Sequence, residues 1–268
     1  MPDTIQTTTD LPKRCFISHS YKDSAIRQQL IDSLPKGVQP IIFPSITARP
    51  SQMISRNLIS TILRCDGLIY LEGGYSQSSF WVAFERDFAL RARKKVFAFI
   101  PQTSRLRLDT SAPLHLPIFL CHSGTDKDYT RVERIIRFMR VGRFFDIWLD
   151  QVEIGVNDTW WLVLLENIQK YLHSGGYLLV FWSADAARSG WMKEQLAIAL
   201  RITPSHQSPK LLFALLDDTP LPSFAQSVEG EAVSIYDKNN TLEMHGIDDL
   251  IVRLYWLIYR NTQHKGLD

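Results

Sequence analysis

Two short stretches decide the fold of this chain: FISHS at residues 16–20 and IFLCHS at residues 118–123. Each is an apolar run that ends in a histidine and a serine, and each precedes a helical pattern, over residues 24–34 and 128–139. Because the same strand and loop occur twice, the chain is predicted to be an internal duplication. Apolar runs alternate with helical patterns after both stretches, which is typical of parallel sheets with helices on both faces.

The two copies are predicted to meet in residues 101–116, which carry Pro, Ser, Thr and Arg and show no helical period. We therefore expect two α/β domains, residues 1–112 with this linker and residues 113–268. The apolar runs predict strands at 15–17, 38–43, 67–71, 96–100, 118–123, 145–149, 177–182 and 210–216.

Composition narrows the class of protein. The chain has 268 residues, of which 45% are hydrophobic and 22% charged, as is usual for a globular protein. Its apolar runs stay below the roughly 18 residues that a membrane span needs, and its polar N-terminus predicts no secretory signal. Cys15, Cys65 and Cys121 have no CxxC spacing, and no ligand set surrounds the loop histidines. We expect a cytoplasmic protein with no metal and no membrane contact.

Charge is unevenly distributed along the chain. Residues 1–112 hold 15 Lys and Arg against 9 Asp and Glu, a charge of +6, and residues 113–268 hold 15 against 19, a charge of −4. The basic residues are scattered rather than clustered, so nucleic-acid binding is not expected. Because the two halves have charges of opposite sign, they favour packing against each other or between copies of the chain.

A carboxylate stands in an apolar helical arc in the stretch SFWVAFE, residues 79–85. At about 100° per residue, Glu85 shares the arc of Trp81 and Phe84. Burying a lone carboxylate is costly, so Glu85 either faces a cleft and does chemistry or is a solvated residue at the edge of a core stripe.

Together these stretches resemble TIR domains over nearly the whole chain. FISHSYKD at residues 16–23 and FLCHS at 119–123 are similar to the opening strand and loop of that family. Residues 150–160, with Gly155 and Asp158, look like its second loop, and Ser79-x-Trp81-x-x-x-Glu85 looks like the motif with its NAD-cleaving glutamate. The loop at residues 44–52 departs from the family pattern, since it lacks the Gly-Asp element.

The resemblance implies two tandem flavodoxin-like domains and an enzyme that hydrolyses or cyclises NAD+, often in immune defence or cell death. NAD+ would be the substrate, with no other cofactor. Self-association through TIR surfaces and activation by a protein or nucleotide signal belong to the same expectation. Two alternatives stay open: a tandem scaffold without catalysis that acts by homotypic assembly, and an enzyme like nucleoside deoxyribosyltransferases, which also breaks an N-glycosidic bond.

The chemistry needs one carboxylate. Nicotinamide leaves as a neutral ring, so no general acid is required, and Glu85 would stabilise the cationic ribose in the transition state. Ligands of open α/β sheets lie beyond the carboxyl ends of the strands. Substrate contacts are therefore expected from His19, Ser20, Tyr21, Phe43, Arg49 and Trp81. Four of them have a plainer interpretation: His19 as a loop histidine, Ser20 as a helix cap, Arg49 as a solvated loop arginine and Trp81 as a core residue.

The second domain is predicted to lack this carboxylate. Its equivalents to the first site are Ser123, Trp191 and either Glu194 or Gln195. Glu85 follows Trp81 by four positions, and the fourth position after Trp191 is Gln195, whereas Glu194 is about 100° away around the helix. Gln195 cannot supply negative charge, so catalysis is expected in the first domain. A slipped helix that brings Glu194 into the cleft is the alternative.

Overall fold

The computed structural model describes residues 11–43, 52–141, 145–149, 160–203, 210–227, 231–235 and 244–264. The chain divides into two compact units, Met1–Leu114 and His115–Asp268, and each is described by itself. Among the described residues, no helix combines the length and the apolar character that crossing a membrane requires.

The first unit is a twisted sheet with helices packed on it. Its described elements are β1 (Arg14–Ser18), α1 (Ser24–Ser33), β2 (Gln39–Ile42), α2 (Gln52–Arg64), β3 (Gly67–Leu71), α3 (Phe80–Arg91), β4 (Lys95–Ile100) and β5 (Arg105–Leu108). The strand order is β2-β1-β3-β4-β5. β1 to β4 pair in parallel, as the continuous apolar runs predicted.

The central strands of the first sheet, β1, β3 and β4, are mostly buried on both faces. Successive side chains of a strand point to opposite faces of the sheet. Cys15, Ile17, Ile69 and Phe97 pack on the face that α1 covers through Leu30. On β1, Phe16 and Ser18 point the other way, and Ser18 reaches α3. α1 and α3 therefore lie on opposite faces, on either side of the neighbouring strands β1 and β3.

Residues 101–116 are not simply a linker, which corrects the prediction for this segment. β5 pairs antiparallel with β4, with Leu106 opposite Phe99 and Leu108 opposite Phe97. The first sheet is thus parallel except at this edge. The strand was missed because RLRL at residues 105–108 is a short alternating run whose apolar side chains find a core only after β4 is in place.

The second unit repeats the plan. Its described elements are β6 (Pro117–Cys121), α4 (Asp126–Val141), β7 (Asp146–Leu149), α5 (Trp160–His173), β8 (Tyr177–Trp182), α6 (Ala184–Arg188), α7 (Gly190–Ile202), β9 (Leu211–Leu215), α8 (Ser223–Ser227), β10 (Glu231–Ser234) and α9 (Met244–His264). The order β7-β6-β8-β9-β10 matches that of the first sheet position by position.

The copies differ at the last strand, since β10 is parallel to β9 whereas β5 is antiparallel to β4. A polar, weakly patterned sequence around β10 gave no strand prediction, and the short helices α6 and α8 were also missed. Two sheets of the same order confirm the predicted fold class: two units, each an α/β sheet of the flavodoxin-like order.

Candidate functional site

In the first unit, the strand order predicts a ligand-binding crevice at the carboxyl end of the sheet. β1 lies between β2 and β3, and the helices that follow β1 and β3 cover opposite faces. Crossovers that leave in opposite directions from neighbouring strands open a crevice between the loops, and this is where α/β sheets bind ligands. Ser18 is the last residue of β1, and Glu85 lies in the second turn of α3.

Glu85 points back from α3 onto the end of β1. Ser18 Oγ donates a hydrogen bond to Glu85 Oε2 at 2.5 Å, and Glu85 is only 8% exposed. The solvated-edge interpretation of Glu85 therefore does not describe this side chain. Ser18 was not singled out from the sequence; the signal was its place on the same strand face as Phe16, two positions earlier.

The electrostatics of Glu85 are unusual for a carboxylate. Burial raises its pKa to about 8, against the hydrogen bond from Ser18, which lowers it. Among the described residues, no Lys or Arg forms an ion pair with Glu85. A charge on Glu85 is therefore stabilised mainly by one hydroxyl, and a cation entering the cleft would stabilise it further.

Trp81 lies one helical turn before Glu85 and is 36% exposed. Its ring meets Phe84 edge to face at 6.2 Å and Phe80 at 5.1 Å between centroids. Phe84 is buried, so one side of the indole packs on the core while the rest is accessible. This arrangement is compatible both with packing and with a ligand contact.

The loop after β1 carries His19 and Tyr21. Arg27 Nη1 lies 3.1 Å from His19 Nε2, and because a guanidinium only donates, Nε2 accepts and Nδ1 carries the hydrogen. Nδ1 accordingly donates to the Ile17 carbonyl at 3.2 Å. Burial and the charge of Arg27 lower the pKa of His19, against the hydrogen bond to Ile17. His19 is thus neutral at pH 7, with the Tyr21 ring against its edge at 5.6 Å.

Ser20 caps a 3-10 turn, Tyr21–Asp23, rather than helix α1. Its hydroxyl accepts a hydrogen bond from the Lys22 amide at 3.4 Å, and its own amide donates to Ser76 Oγ at 2.8 Å. The cap interpretation of Ser20 fits this geometry, although the capped turn is a different one.

Asp23 ties the loop after β1 to the loop after β3. Its buried carboxylate accepts hydrogen bonds from the amides of Tyr75 and Ser76, at 3.1 and 2.7 Å, and from Ser76 Oγ at 2.6 Å. Gly74 has φ +59°, and a Cβ there would lie 2.6 Å from Asp23 Oδ1. This clamp fixes the loop after β1 relative to the loop after β3.

The remaining expected contacts of the first unit are less defined. Phe43 directly follows β2 and is half-buried. Arg49 and the loop at residues 44–51 lie outside the described residues. In the described ranges, no three His, Cys, Asp or Glu side chains group as they would around a metal ion.

The second unit holds different groups at the corresponding positions. β6 ends in Cys121 where β1 ends in Ser18. On α7, Gln195 is fully buried while Glu194 is exposed, so Gln195 occupies the inward register that Glu85 has on α3. Trp191 is half-buried, and residues 150–159 lie outside the described part of the chain.

The loop after β6 is also joined to the segment after β8. Ser123 is buried, and its Oγ lies 3.2 Å from Thr125 Oγ1, which donates to Asp185 Oδ2 at 3.4 Å. The contact has the same place in the fold as the Asp23 clamp, but its carboxylate comes from the opposite segment.

A comparison with known families found a match in the second unit. Residues 118–250 match a family model described as TIR domain. No curated protein matches the chain. The match covers most of the second unit and leaves out the first, which contains Glu85 and shares the strand order of the second.

Proposed function

Because the chain belongs to the TIR domain family through residues 118–250, we propose that it cleaves the nicotinamide–ribose bond of NAD+, as a glycohydrolase or a cyclase. Glu85 is the proposed catalytic residue. The observation that carries the proposal is a buried carboxylate at the switch point of the first sheet, stabilised by Ser18 and by no ion pair among the described residues. Immune defence or cell-death signalling is the proposed setting.

The charge of NAD+ suits this site. Its nicotinamide nitrogen is cationic, and positive charge moves onto the ribose as the glycosidic bond breaks. The bound cation supplies what Glu85 lacks, so binding lowers the pKa of the carboxyl group and favours its ionised form. The interaction strengthens as the ribose becomes cationic and therefore stabilises the transition state more than the ground state.

The neighbours of Glu85 support the same chemistry. The hydrogen bond from Ser18 orients the carboxylate, and burial lowers the pKa of His19, which favours its neutral form. The accessible side of Trp81 offers an aromatic surface to the ribose or a base. In hydrolysis, water replaces nicotinamide on the ribose carbon and one proton is released. In cyclisation, a nitrogen of the same molecule replaces it.

Two observations favour other functions and define the control assays. The family match covers the unit in which Gln195 replaces the carboxylate, as a scaffold without catalysis would allow. The raised pKa of Glu85 means that it holds a proton at pH 7 in the empty site, which would suit acid assistance to a neutral base, as in deoxynucleoside cleavage.

The experiment incubates the purified full chain with NAD+, and separately with a deoxynucleoside, and measures the freed base by chromatography. We expect nicotinamide release, reduced by about 10²-fold or more in Glu85→Gln, since this substitution keeps the shape and removes the charge. Glu194→Gln is the matched control and should keep most of the activity. Circular dichroism checks that both variants fold.

Three results would change the assignment. Release of base from the deoxynucleoside alone would favour the transferase-like function. Loss of activity in Glu194→Gln but not in Glu85→Gln would place the site in the second unit. No release from either substrate, over a range of protein concentrations that includes the assembled state, would favour the scaffold.

A further inference from the structure

The segment that leaves the first unit, Asp109–Leu114, is bound along helix α3. We call it the strap. Arg86 Nε donates to Asp109 Oδ2 at 2.6 Å, and Arg86 Nη2 donates to Ser111 Oγ. The Ser111 amide in turn donates to Asp109 Oδ1 at 2.9 Å, which closes a compact turn over Arg86. The first half of the strap is therefore held by the residue next to Glu85.

At the end of the strap, both the amide and the carbonyl of Leu114 are hydrogen-bonded to side chains of α3. The Leu114 amide donates to Asp87 Oδ2 at 2.9 Å, and its carbonyl accepts a hydrogen bond from Arg91 Nη2. Asp87 also accepts from Arg86 Nη1 at 2.7 Å through its other oxygen. Side chains from three positions of α3 thus bind the strap between Asp109 and Leu114.

The two carboxylates in these contacts are almost fully buried. The side chains of Asp87 and Asp109 are 3% and 4% exposed, and that of Arg86 is 23% exposed. Burial would raise the pKa of Asp109, but hydrogen bonds from Arg86 and Ser111 outweigh it and hold the pKa below its usual value. Separating such a pair leaves an uncompensated buried charge, which resists loosening of the strap.

The second unit begins almost where the strap ends. The Leu116 carbonyl accepts a hydrogen bond from the Asp146 amide at 2.9 Å, and His115 Nε2 lies 3.4 Å from Asp146 Oδ2. β6 then starts at Pro117. A single residue, His115, separates Leu114, which is anchored on α3, from Leu116, which is anchored on β7.

We propose that Arg86 and Asp87 are positioning residues, through which the strap couples the second unit to the helix that carries Glu85. α3 is held on two sides: Glu85 contacts Ser18, and Asp87 is about 200° further round the helix and holds Leu114. Displacement of the second unit is passed through Leu114 to α3. The proposal rests on the proposed function only in taking Glu85 as the reacting group.

The test lengthens the connection without touching a contact. Gly-Ser-Gly-Ser-Gly-Ser is inserted between Leu114 and His115 in the full chain, and the matched control carries the same insertion after Gly37, an exposed turn where a Cβ would meet nothing within 4 Å. Amide hydrogen exchange is measured over residues 80–91 and 109–114. We expect faster exchange in both segments for the insertion at residue 114, and wild-type exchange for the control.

A second variant, Asp87→Asn, breaks the strap from the helix side. It should speed exchange in the same two segments while the β4–β5 ladder keeps its protection. With NAD+ as substrate, both strap variants should lower kcat by about tenfold and change KM little, because a small displacement of Glu85 affects the reacting geometry more than binding.

Wild-type exchange over residues 80–91 after the insertion at residue 114 would overturn the coupling, whatever Asp87→Asn does. Equal effects of the two insertions would also overturn it, since a general loss of stability would then explain both. Hydrogen exchange needs no substrate, so the coupling is decided even if the chain does not cleave NAD+.

Discussion

When Glu85 is ionised, its buried carboxylate destabilises the protein without a ligand. Its pKa of about 8 in the folded chain lies above the ordinary value of 4.5. Between these values the folded state keeps a proton that the unfolded state has released, so this residue makes stability fall as pH rises through that window. Such a cost is typical of a group kept for chemistry rather than for folding.

The pH dependence of catalysis follows from the same shift. If ionised Glu85 is the active form, kcat/KM for NAD+ should rise with pH and level off near 8, the pKa of the free protein. The inflection in kcat should lie at lower pH, because the bound cation lowers the pKa of Glu85. Both come from one set of initial-rate measurements between pH 5 and 9.

Ser18→Ala provides the check on this profile. The Ser18 hydroxyl lowers the pKa of Glu85, so its removal should move the kcat/KM inflection to higher pH. Residual activity of Glu85→Gln should show no inflection in this range. If the inflection lies at about pH 4 to 5 and Ser18→Ala does not move it, Glu85 is not the titrating group.

At the scale of elements, the Asp23 clamp joins two loops that end neighbouring strands. Asp23→Asn keeps one acceptor oxygen and loses the other, which leaves a buried donor of Tyr75 or Ser76 unsatisfied. We expect a loss of about 1–3 kcal/mol in the free energy of unfolding. Gly74→Ala should lose a similar amount, because its Cβ would meet Asp23 at 2.6 Å. Urea unfolding measures both.

Asp66→Asn is the matched control for the clamp. Asp66 Oδ2 also accepts a backbone hydrogen bond, from the Arg14 amide at 3.0 Å, but at the exposed amino end of the same sheet. Asp66→Asn should lower the free energy of unfolding by no more than about 0.5 kcal/mol. In the NAD+ assay, Asp23→Asn should raise KM because the cleft walls lose their relative position, whereas Asp66→Asn should not. Equal effects of the two substitutions on KM would contradict this role for Asp23.

At the scale of the whole molecule, the charge difference between the two parts of the chain favours association of copies. Residues 1–112 carry +6 and residues 113–268 carry −4. We expect a self-associating protein whose association weakens with salt, because the Debye length falls from about 10 Å at 0.1 M to about 3 Å at 1 M. Sedimentation velocity at both salt concentrations measures it. A monomer at both concentrations, or association that salt strengthens, would contradict this.

The duplication gives the two units one strand order and different chemistry. The inward position on α3 is a glutamate and the inward position on α7 is a glutamine, Gln195. Both are polar groups buried at the same place in the fold, yet only the first can carry negative charge. This difference is the reason why we propose catalysis in the first unit and coupling or assembly in the second.

The sequence by itself determined the features that depend on local patterns. Continuous apolar runs predicted the parallel strands except β10, helical patterns predicted the helices near residues 24–34 and 128–139, and the repeated FISHS and IFLCHS stretches predicted two units of one plan. Glu85 stood out because a charge in an apolar arc is visible in one helical turn. These inferences need only neighbouring residues, since strand and helix periods are set by the backbone.

Only the tertiary structure decided what those residues touch. The Ser18–Glu85 hydrogen bond spans 67 positions, that of Asp23 with the Ser76 amide spans 53, and that of Asp87 with the Leu114 amide spans 27. Asp87 lies outside the apolar arc of α3 and is nevertheless buried, because the strap covers it. Burial, pKa and partner depend on which distant segments pack together, and a single sequence with local periods does not contain that pairing.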